Sequence, residues 1–438
     1  MRDQLFDPGG AGSDEDFDVE LHGLDASTAE TLLGHFGRVI HVGRAFGVMR
    51  VGKLDADFSL PHRDSLAAAG AGGTRPGRAF DPHLGFTEAA RRRDLTINSM
   101  AWDPLSGELI DPHGGRRDLD RRVLRATDRA RFGDDPLRGL RVAQLLARFD
   151  CEPDGELRAL CAGLDLGGVS RERVFEELRK LLLKSARPAD GLRFLEEAGL
   201  LRFFPELSAL VGVPQDPRWH PEGCVWTHTL MVVDEAAGLR QGEARDDLAL
   251  MLGALCHDLG KPDTTNADGE PLRSPRHEAV GAAITGRFLG GLRAAGELVT
   301  RVEALVRHHL APARLVGSGA HAKAYRRLAR KLAAAGVDAE LLYRLARADH
   351  LGRTTEEALA RSCDPVERFL AAMRELALNE AGPRDVVMGR HVVARGVPPG
   401  PRVGAVLRRC RAIQDESGST RVEEILGRAL SDEGDEGD

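Results

Sequence analysis

The chain contains no Cys-x-x-Cys pair. Its six cysteines, at positions 151, 161, 224, 256, 363 and 410, are scattered along the sequence. That spacing argues against a zinc finger or a disulfide framework and suits a reducing cytoplasm, which is the expected location. No run of about 20 apolar residues occurs, so no membrane span is expected. The start, Met-Arg-Asp-Gln, lacks the apolar core of a secretory signal. No internal repeat is visible, and nothing in the composition implies a protein partner. Positive charge is not in excess either: the formal net charge is -7. What positive charge there is comes nearly all from arginine and is clustered, at Arg91 to Arg93, Arg116 to Arg125, Arg326 to Arg330 and Arg402 to Arg411. Local patches matter more than the sum when a phosphate backbone must be held, although each cluster also suits a solvated helix face.

What is present starts with Asp16-Phe17-Asp18-Val19-Glu20-Leu21, where acidic and apolar residues alternate strictly. Successive side chains of a strand point to opposite faces. Phe17, Val19 and Leu21 are therefore expected to face a core, and Asp16, Asp18 and Glu20 the other side, with Asp14 in phase. Stacked like charges repel and are retained mainly when a divalent cation neutralises them. The run Leu54 to Leu60 repeats the pattern and offers Asp55 and Asp57. Two such strands side by side could hold two hard cations for phosphoryl or nucleotidyl transfer. A solvated edge strand is the alternative.

With 438 residues, 42% hydrophobic and 29% charged, the chain has the composition of a soluble globular protein of two to four domains. Residues 1 to about 126 mix short strand patterns with glycine-rich turns, and Ala67 to Pro76 reads as a flexible loop. After Asp134 the chain turns helical almost throughout. Pro136 is expected as a first helical residue with Asp135 as its cap, and further helices at about 170–185 and 188–200. Pro214 to Pro221 breaks the pattern before a histidine-rich helical region that runs to about 352. In a last unit, about 384–430, Pro398-Pro399-Gly400-Pro401 precedes a basic helix. The acidic end, Ser431 to Asp438, is expected to be disordered. The fold class is α+β overall.

Two further head motifs carry chemistry. In Arg91-Arg92-Arg93-Asp94-Leu95-Thr96-Ile97-Asn98 the arginines match phosphate oxygens, and Asp94 and Asn98 can bond ribose hydroxyls. In Phe132-Gly133-Asp134-Asp135-Pro136-Leu137-Arg138, Asp135 and Arg138 are three apart at a helix start, hence neighbours. Together they offer an acceptor and donors that complement the edge shared by adenine and cytosine, and they mismatch guanine and uracil. An intrahelical ion pair is the plainer reading.

In order and content these stretches resemble the bacterial CCA-adding enzyme (tRNA nucleotidyltransferase) and poly(A) polymerase family, class II. The matching segments are DFDVELHGL, DADFSLPHRDS, EAARRRDLTINSMAWDP, ELIDPHGGRRDLDRRVLR, FGDDPLRGLRVAQLLARF and SRERVFEELRKLLL, covering most of residues 1–210. The resemblance implies a polymerase beta-like mixed-sheet nucleotidyltransferase head over 1–126 and a helical, nucleobase-selecting and RNA-binding neck and body over 127–212. It implies Mg²⁺ on Asp16, Asp18 and Asp57 as the catalytic carboxylates. Arg2, Asp3, Arg92, Arg93, Asp94, Asn98 and Arg141 would bind nucleotide, and Asp135 and Arg138 would select the base. ATP, CTP and tRNA are the implied partners. The sequence departs from the family pattern in three places: Asp134 stands where the family has Glu, and His62 where it usually has Arg. It also opens at Met1-Arg2-Asp3, inside the Gly-Gly loop that begins the family's head, so an upstream start is expected.

The second half carries His228, His257-Asp258, His277, His308 and Asp349 on predicted helices, in the order of an HD-domain metal site. Adjacent His and Asp at the end of the apolar helix Leu255-Cys256 are costly to bury unless satisfied, and imidazole with carboxylate suits a transition metal or magnesium. The segment Pro214 to Leu230 also resembles CCA-adding enzymes with an appended HD domain. The resemblance implies a metal-dependent phosphohydrolase over 218–352, with Mg²⁺, Mn²⁺ or Ni²⁺ on His228, His257, Asp258, His308 and Asp349. His309 is an alternative to His308, and His220 is a further candidate. A helical body with metal-free histidines that only grips RNA is the other possibility. The tail, 384–430, looks like the C-terminal unit of these relatives and is expected either to contact tRNA or to pack on the HD domain.

Overall fold

The computed structural model describes residues 17–42, 48–52, 54, 56–65, 77–266, 271–378 and 382–431. The expectations for Arg2, Asp3, Asp14, Asp16, Asp55, the loop Ala67 to Pro76 and the acidic end from Asp432 fall outside those residues. The chain divides into two compact units, Met1–Arg138 with Phe149–Asp165, and Gly139–Arg148 with Leu166–Asp438.

The first unit is built on a four-stranded mixed sheet. Its strands are β1 (Phe17–Glu20), β2 (Val39–Val42), β3 (Val48–Val51) and β4 (Ala56–Ser59), in the order β1-β4-β3-β2. β1 runs parallel to β4, and β3 is antiparallel to both β4 and β2. Helix α1 (Ala26–Gly34), capped by the Asp25 side chain on the Thr28 N–H, follows β1. Ala29 and Leu33 of α1 form a buried cluster with Met49, Val51 and Leu60, flanked by Leu21, Leu24, Val39 and Phe58. Because side chains alternate, burying Met49 and Phe58 on one face puts their neighbours on the other. A β-hairpin, β5 (His62–Ser65) with β6 (Gly77–Phe80), extends the unit.

Helix α2 spans Arg138–Phe149. It starts two residues later than expected: Pro136 and Leu137 form a turn after the short helix Arg129–Asp134, and Asp135 accepts the Leu137 N–H at 3.2 Å. In the second unit α3 (Arg171–Lys184) is capped by Ser170, and α4 (Pro188–Glu197) opens on a proline, both as the pattern requires. Helices α5 (Val225–Gly238), α6 (Ala244–Cys256), α7 (His277–Gly291), α8 (Gly296–His308), α9 (Ala322–Ala334) and α10 (Ala339–Leu351) follow. Every residue of α6 from Ala249 to Cys256 is buried, the mark of a helix surrounded on all sides. The chain leaves this central helix directly into His257 and Asp258, which fixes both side chains in the interior. Gly260 then lets the turn meet α7, where a Cβ would lie 2.1 Å from the His277 carbonyl oxygen.

The tail contains α11 (Pro401–Ser417) and α12 (Val422–Ser431) around a core that includes Val392, Val406, Cys410, Ile413 and Ile425. Arg330 of α9 pairs with Asp415 of α11 at 2.7 Å and also with Asp385, while Arg326 donates to the Asp415 carbonyl at 2.9 Å. These contacts pack the tail on the helical body, one of the two expectations for it. No helix among the described residues is long and apolar enough to cross a membrane.

The close approach at Gly260 gives a stability prediction. Gly260→Ala should lower unfolding stability by roughly 1–3 kcal/mol through overpacking against backbone. Gly238→Ala, where a Cβ meets nothing within 4 Å, should leave it unchanged or slightly raised. Denaturant midpoints check both, and equal midpoints would contradict the reading.

Candidate functional sites: a carboxylate row and a histidine–aspartate cluster

In the head, Asp18 is the register partner of Asp57, and Asp57 that of Arg50. The three form one row across β1, β4 and β3, opposite the row Val19, Phe58 and Met49 that faces α1. Arg50 donates to both Asp57 carboxylate oxygens, from Nε at 2.7 Å and from Nη2 at 2.9 Å. This bidentate geometry is the strong form of such a pair, and it neutralises one of the two carboxylates. A divalent cation on the row must share Asp57 with Arg50 or displace it. The chemistry of the donor set fits Mg²⁺, which takes carboxylate oxygens.

Arg93 pairs with Glu20 of β1 at 3.6 Å. Asp94, nearly buried, accepts from the Leu95 N–H and from Asn98 Nδ2, each at 2.8 Å, so these two candidates brace one another at the start of the short helix Thr96–Asn98. Arg92 sits against the His62 carbonyl at 3.5 Å. Its own carbonyl, like that of Arg131, accepts from the Arg138 guanidinium at 2.7 Å. Two backbone carbonyls therefore help to orient Arg138. Arg141 lies in the second unit and pairs with Glu177 of α3 at 3.5 Å.

In the second unit His228 of α5, His257 and Asp258 after α6, His277 of α7, His309 after α8 and Asp349 of α10 converge. The rings of His228 and His257 lie 5.3 Å apart, those of His257 and His309 5.5 Å, and those of His277 and His309 5.3 Å. His308 is corrected by the structure: it ends α8 away from this cluster, and burial beside Lys331 and Arg307 depresses its pKa to about 4. His309, one residue later and rotated by a helical step, occupies the place expected of it.

Three of the rings are presented identically. Nδ1 of His257, His277 and His309 lies 2.8, 2.8 and 2.6 Å from the backbone carbonyls of Ala254, Ser274 and Val306. Only an N–H makes such a contact favourable, so Nδ1 holds the proton and each Nε2 turns a lone pair inward. This is how metal-ligating histidines are oriented. The inward atoms then confront other acceptors. His277 Nε2 is 3.4 Å from His309 Nε2, and His257 Nε2 is 3.1 Å from Asp258 Oδ2 without bonding to it, though both are buried. Facing lone pairs of this kind call for a cation between them, and the residues fit a divalent metal. Groups of His228, His257 and Asp258, and of Asp258, His277 and His309, each bring ligand atoms within 4.8 Å of one another.

Burial opposes charge on His257, but Asp258 and Asp349 outweigh it and raise its pKa, a positive charge whose place a metal on Nε2 would take. Burial opposes charge on Asp258, but His257, Lys261 and His277 outweigh it and hold the carboxyl well below its ordinary range. Burial likewise opposes charge on Asp349, and Arg353 with the histidines overcomes it. Burial lowers His309 to about 4, so it stays a neutral ligand at neutral pH.

Sequence reasoning missed Glu222. Its Oε1 lies 2.8 Å from His228 Nδ1 and 2.9 Å from His220 Nδ1. With the His228 proton on Nδ1 toward Glu222, Nε2 faces Asp349 Oδ1 at 3.1 Å, again two acceptors that a shared cation satisfies. The only signal was a carboxylate six residues ahead of the first histidine. Lys261, which pairs with Asp258 Oδ2 at 2.7 Å, and Arg353, 3.2 Å from Asp349, were also unassigned.

The chain matches three family models: the poly A polymerase head domain over residues 1–125, the probable RNA and SrmB- binding site of polymerase A over 158–210, and the HD domain over 225–354. It is similar to the Multifunctional CCA protein of Stenotrophomonas maltophilia, 38% identical over 284 residues, which are 61% of this chain and 66% of that one. The Methylococcus capsulatus protein of the same name is 37% identical over 276 residues, 61% of this chain and 62% of that one. These matches span less than two thirds of either relative. Among solved structures, the Bacillus stearothermophilus CCA-adding enzyme in complex with CTP aligns with a TM-score of 0.65 at 20% identity, over 99% of this chain and 91% of that one. The Thermotoga maritima CCA-adding enzyme complexed with tRNA aligns at 0.51 and 18% identity, over 95% and 86%. At these identities the likeness is one of fold.

The histidine arrangement predicts metal content. Purified protein should hold a divalent metal that His257→Ala with Asp258→Ala removes and His308→Ala leaves in place. His309→Ala should weaken it, and Glu222→Gln should weaken it about 10- to 100-fold through the lost orientation of His228. Elemental analysis and metal titration decide; loss on His308→Ala with retention on His309→Ala would contradict the assignment.

Proposed function

We propose that the chain is a CCA-adding enzyme of the tRNA nucleotidyltransferase and poly(A) polymerase family with an appended HD domain, that it adds CMP and AMP to tRNA 3′ ends, and that it hydrolyses terminal phosphates. The observation that carries the first activity is the row of Asp18, Asp57 and Arg50 on one face of the head sheet. Mg²⁺ held by Asp18 and Asp57, with Asp16, would lower the pKa of the primer 3′-hydroxyl and neutralise charge developing on the α-phosphate and pyrophosphate. The protein's own residues do the positioning. Arg92 and Arg93 would hold the triphosphate beside the row. Asp94 and Asn98, locked together, offer a rigid edge to the ribose. Arg138, fixed by two backbone carbonyls, presents a pre-organised guanidinium with Asp135 at the same helix start for reading an adenine or cytosine edge. RNA is recognised by shape and backbone.

The names of the curated relatives favour CCA addition over poly(A) synthesis. The HD cluster supports a metal-dependent phosphohydrolase. For a 2′,3′-cyclic phosphate end, water adds across one P–O bond: its oxygen joins phosphorus and its proton goes to the released ribose oxygen. A metal on the cluster would supply an activated water and polarise the phosphoryl oxygen. Such opening would prepare a damaged tRNA end for nucleotide addition when the 3′ oxygen is the one released.

The test is incorporation into tRNA lacking its CCA end. Two C residues from CTP and then one A from ATP are expected. Long A tails on unrelated RNA would indicate poly(A) synthesis, and no incorporation would refute the proposal. Asp57→Ala should reduce incorporation at least ~100-fold. Asp135→Ala or Arg138→Ala should relax discrimination against GTP and UTP more than it slows addition; selectivity that survives both changes would overturn the base-reading role.

A further inference from the structure

The HD cluster opens into a cavity of about 230 Å³ lined by Gln215, Trp219, His220, Lys261, His277 and Arg353, among others. Two features of its wall are not metal ligands. The first is Trp219, 61% exposed at the lip. The other tryptophan of this segment, Trp226, shows the usual arrangement: it is buried, and its indole N–H donates to Glu196 at 2.6 Å. Trp219 instead leaves a large apolar face in water. The loop that carries it is stiff. Pro214, Pro217 and Pro221 restrict it, Asp216 accepts from the backbone and the guanidinium of Arg218, and the Trp219 N–H bonds to the Asp216 carbonyl at 3.0 Å. An exposed ring held on a rigid loop loses little entropy when something stacks on it. The second feature is cationic. Lys261 is nearly buried, bonded to Gln215 at 2.6 Å, and the buried Nε of Arg353 has no hydrogen-bond partner. A buried donor left unpaired in a cavity wall marks a place for an acceptor.

We propose that Trp219 is the platform on which the base of a bound nucleoside phosphate stacks, while its phosphate lies against Lys261 and Arg353 beside the histidine cluster. The proposal rests on the phosphohydrolase reading for what happens to the phosphate, and goes beyond it in naming what selects the substrate. At about 230 Å³ the cavity is smaller than the ~300–1,000 Å³ that encloses a drug-sized ligand. A phosphate and its ribose go inside, and the base must remain at the mouth, where Trp219 is. Every base has a π-face, so stacking is tolerant of sequence. The site therefore demands a base without choosing among bases, as an enzyme acting on RNA ends of any sequence requires.

The experiment uses the full chain with Mn²⁺, Ni²⁺ or Mg²⁺ and compares 2′,3′-cyclic AMP and 2′,3′-cyclic CMP with glycerol 1,2-cyclic phosphate, which has the same strained ring and no base. Trp219→Ala should raise KM at least ~5-fold for both nucleotides with kcat little changed, leave the glycerol compound unaffected, and be rescued by Trp219→Phe. An unchanged KM for the nucleotides, or an equal loss on the glycerol compound, would overturn the platform. Turnover is not required to decide it. In calorimetric titrations with adenosine 2′-monophosphate and inorganic phosphate, Trp219→Ala should weaken only the nucleotide, and equal effects or no nucleotide binding to the wild type would overturn the proposal. Absence of hydrolysis with every metal, alongside base-dependent binding, would refute the hydrolase reading and leave the platform standing.

Discussion

Carboxylates brought side by side repel one another unless a cation is shared among them, and both units of this chain are arranged around that constraint. In the head the sheet order places Asp18 beside Asp57, and Arg50 from the next strand covers both Asp57 oxygens. In the helical unit the central helix ends in His257 and Asp258, and Lys261, Arg353 and four inward rings surround two buried carboxylates. In each case the fold concentrates negative charge and supplies part of the compensation itself. What it leaves over is work for a divalent ion.

The two solutions differ in rigidity, and the difference matches their chemistry. The head row lies on an open sheet face with Arg50 half-exposed, where, on the proposed transferase reading, an ion would enter with a triphosphate and leave with pyrophosphate. The helical cluster is buried, and each ring is pinned through Nδ1 by a carbonyl or by Glu222. Removing one member of such a buried set leaves another uncompensated, which costs far more than the pair itself contributes. A resident metal suits the second site and an exchanging one suits the first.

Local pattern made much of this legible. The alternation around Asp18 and Asp57 marked β1 and β4, because period two survives in four residues. The apolar run before His257 marked α6 as central. What local pattern does not carry is which strands pair. Arg50 reads as an ordinary residue until the order β1-β4-β3-β2 sets it across from Asp57. Choosing between His308 and His309 failed for a similar reason. Adjacent residues at a helix end point about 100° apart, and the sequence does not say where α8 stops. Pro136 looked like a first helical residue, but the turn at Leu137 delays α2 to Arg138. Glu222 and Trp219 sit in a proline-rich loop without periodicity, so only the folded chain shows what they touch.

The relation between Arg50 and the ion proposed for the head row is the point at which the account is most exposed. A crystal structure of the full chain soaked with Mn²⁺ and a non-hydrolysable CTP analogue, with anomalous data, addresses it directly. The account predicts an anomalous peak bridging Asp18 and Asp57, beside the triphosphate, with the Arg50 guanidinium turned away from at least one Asp57 oxygen. A triphosphate bound elsewhere, with Arg50 still bidentate on Asp57 and no metal on the row, would contradict it.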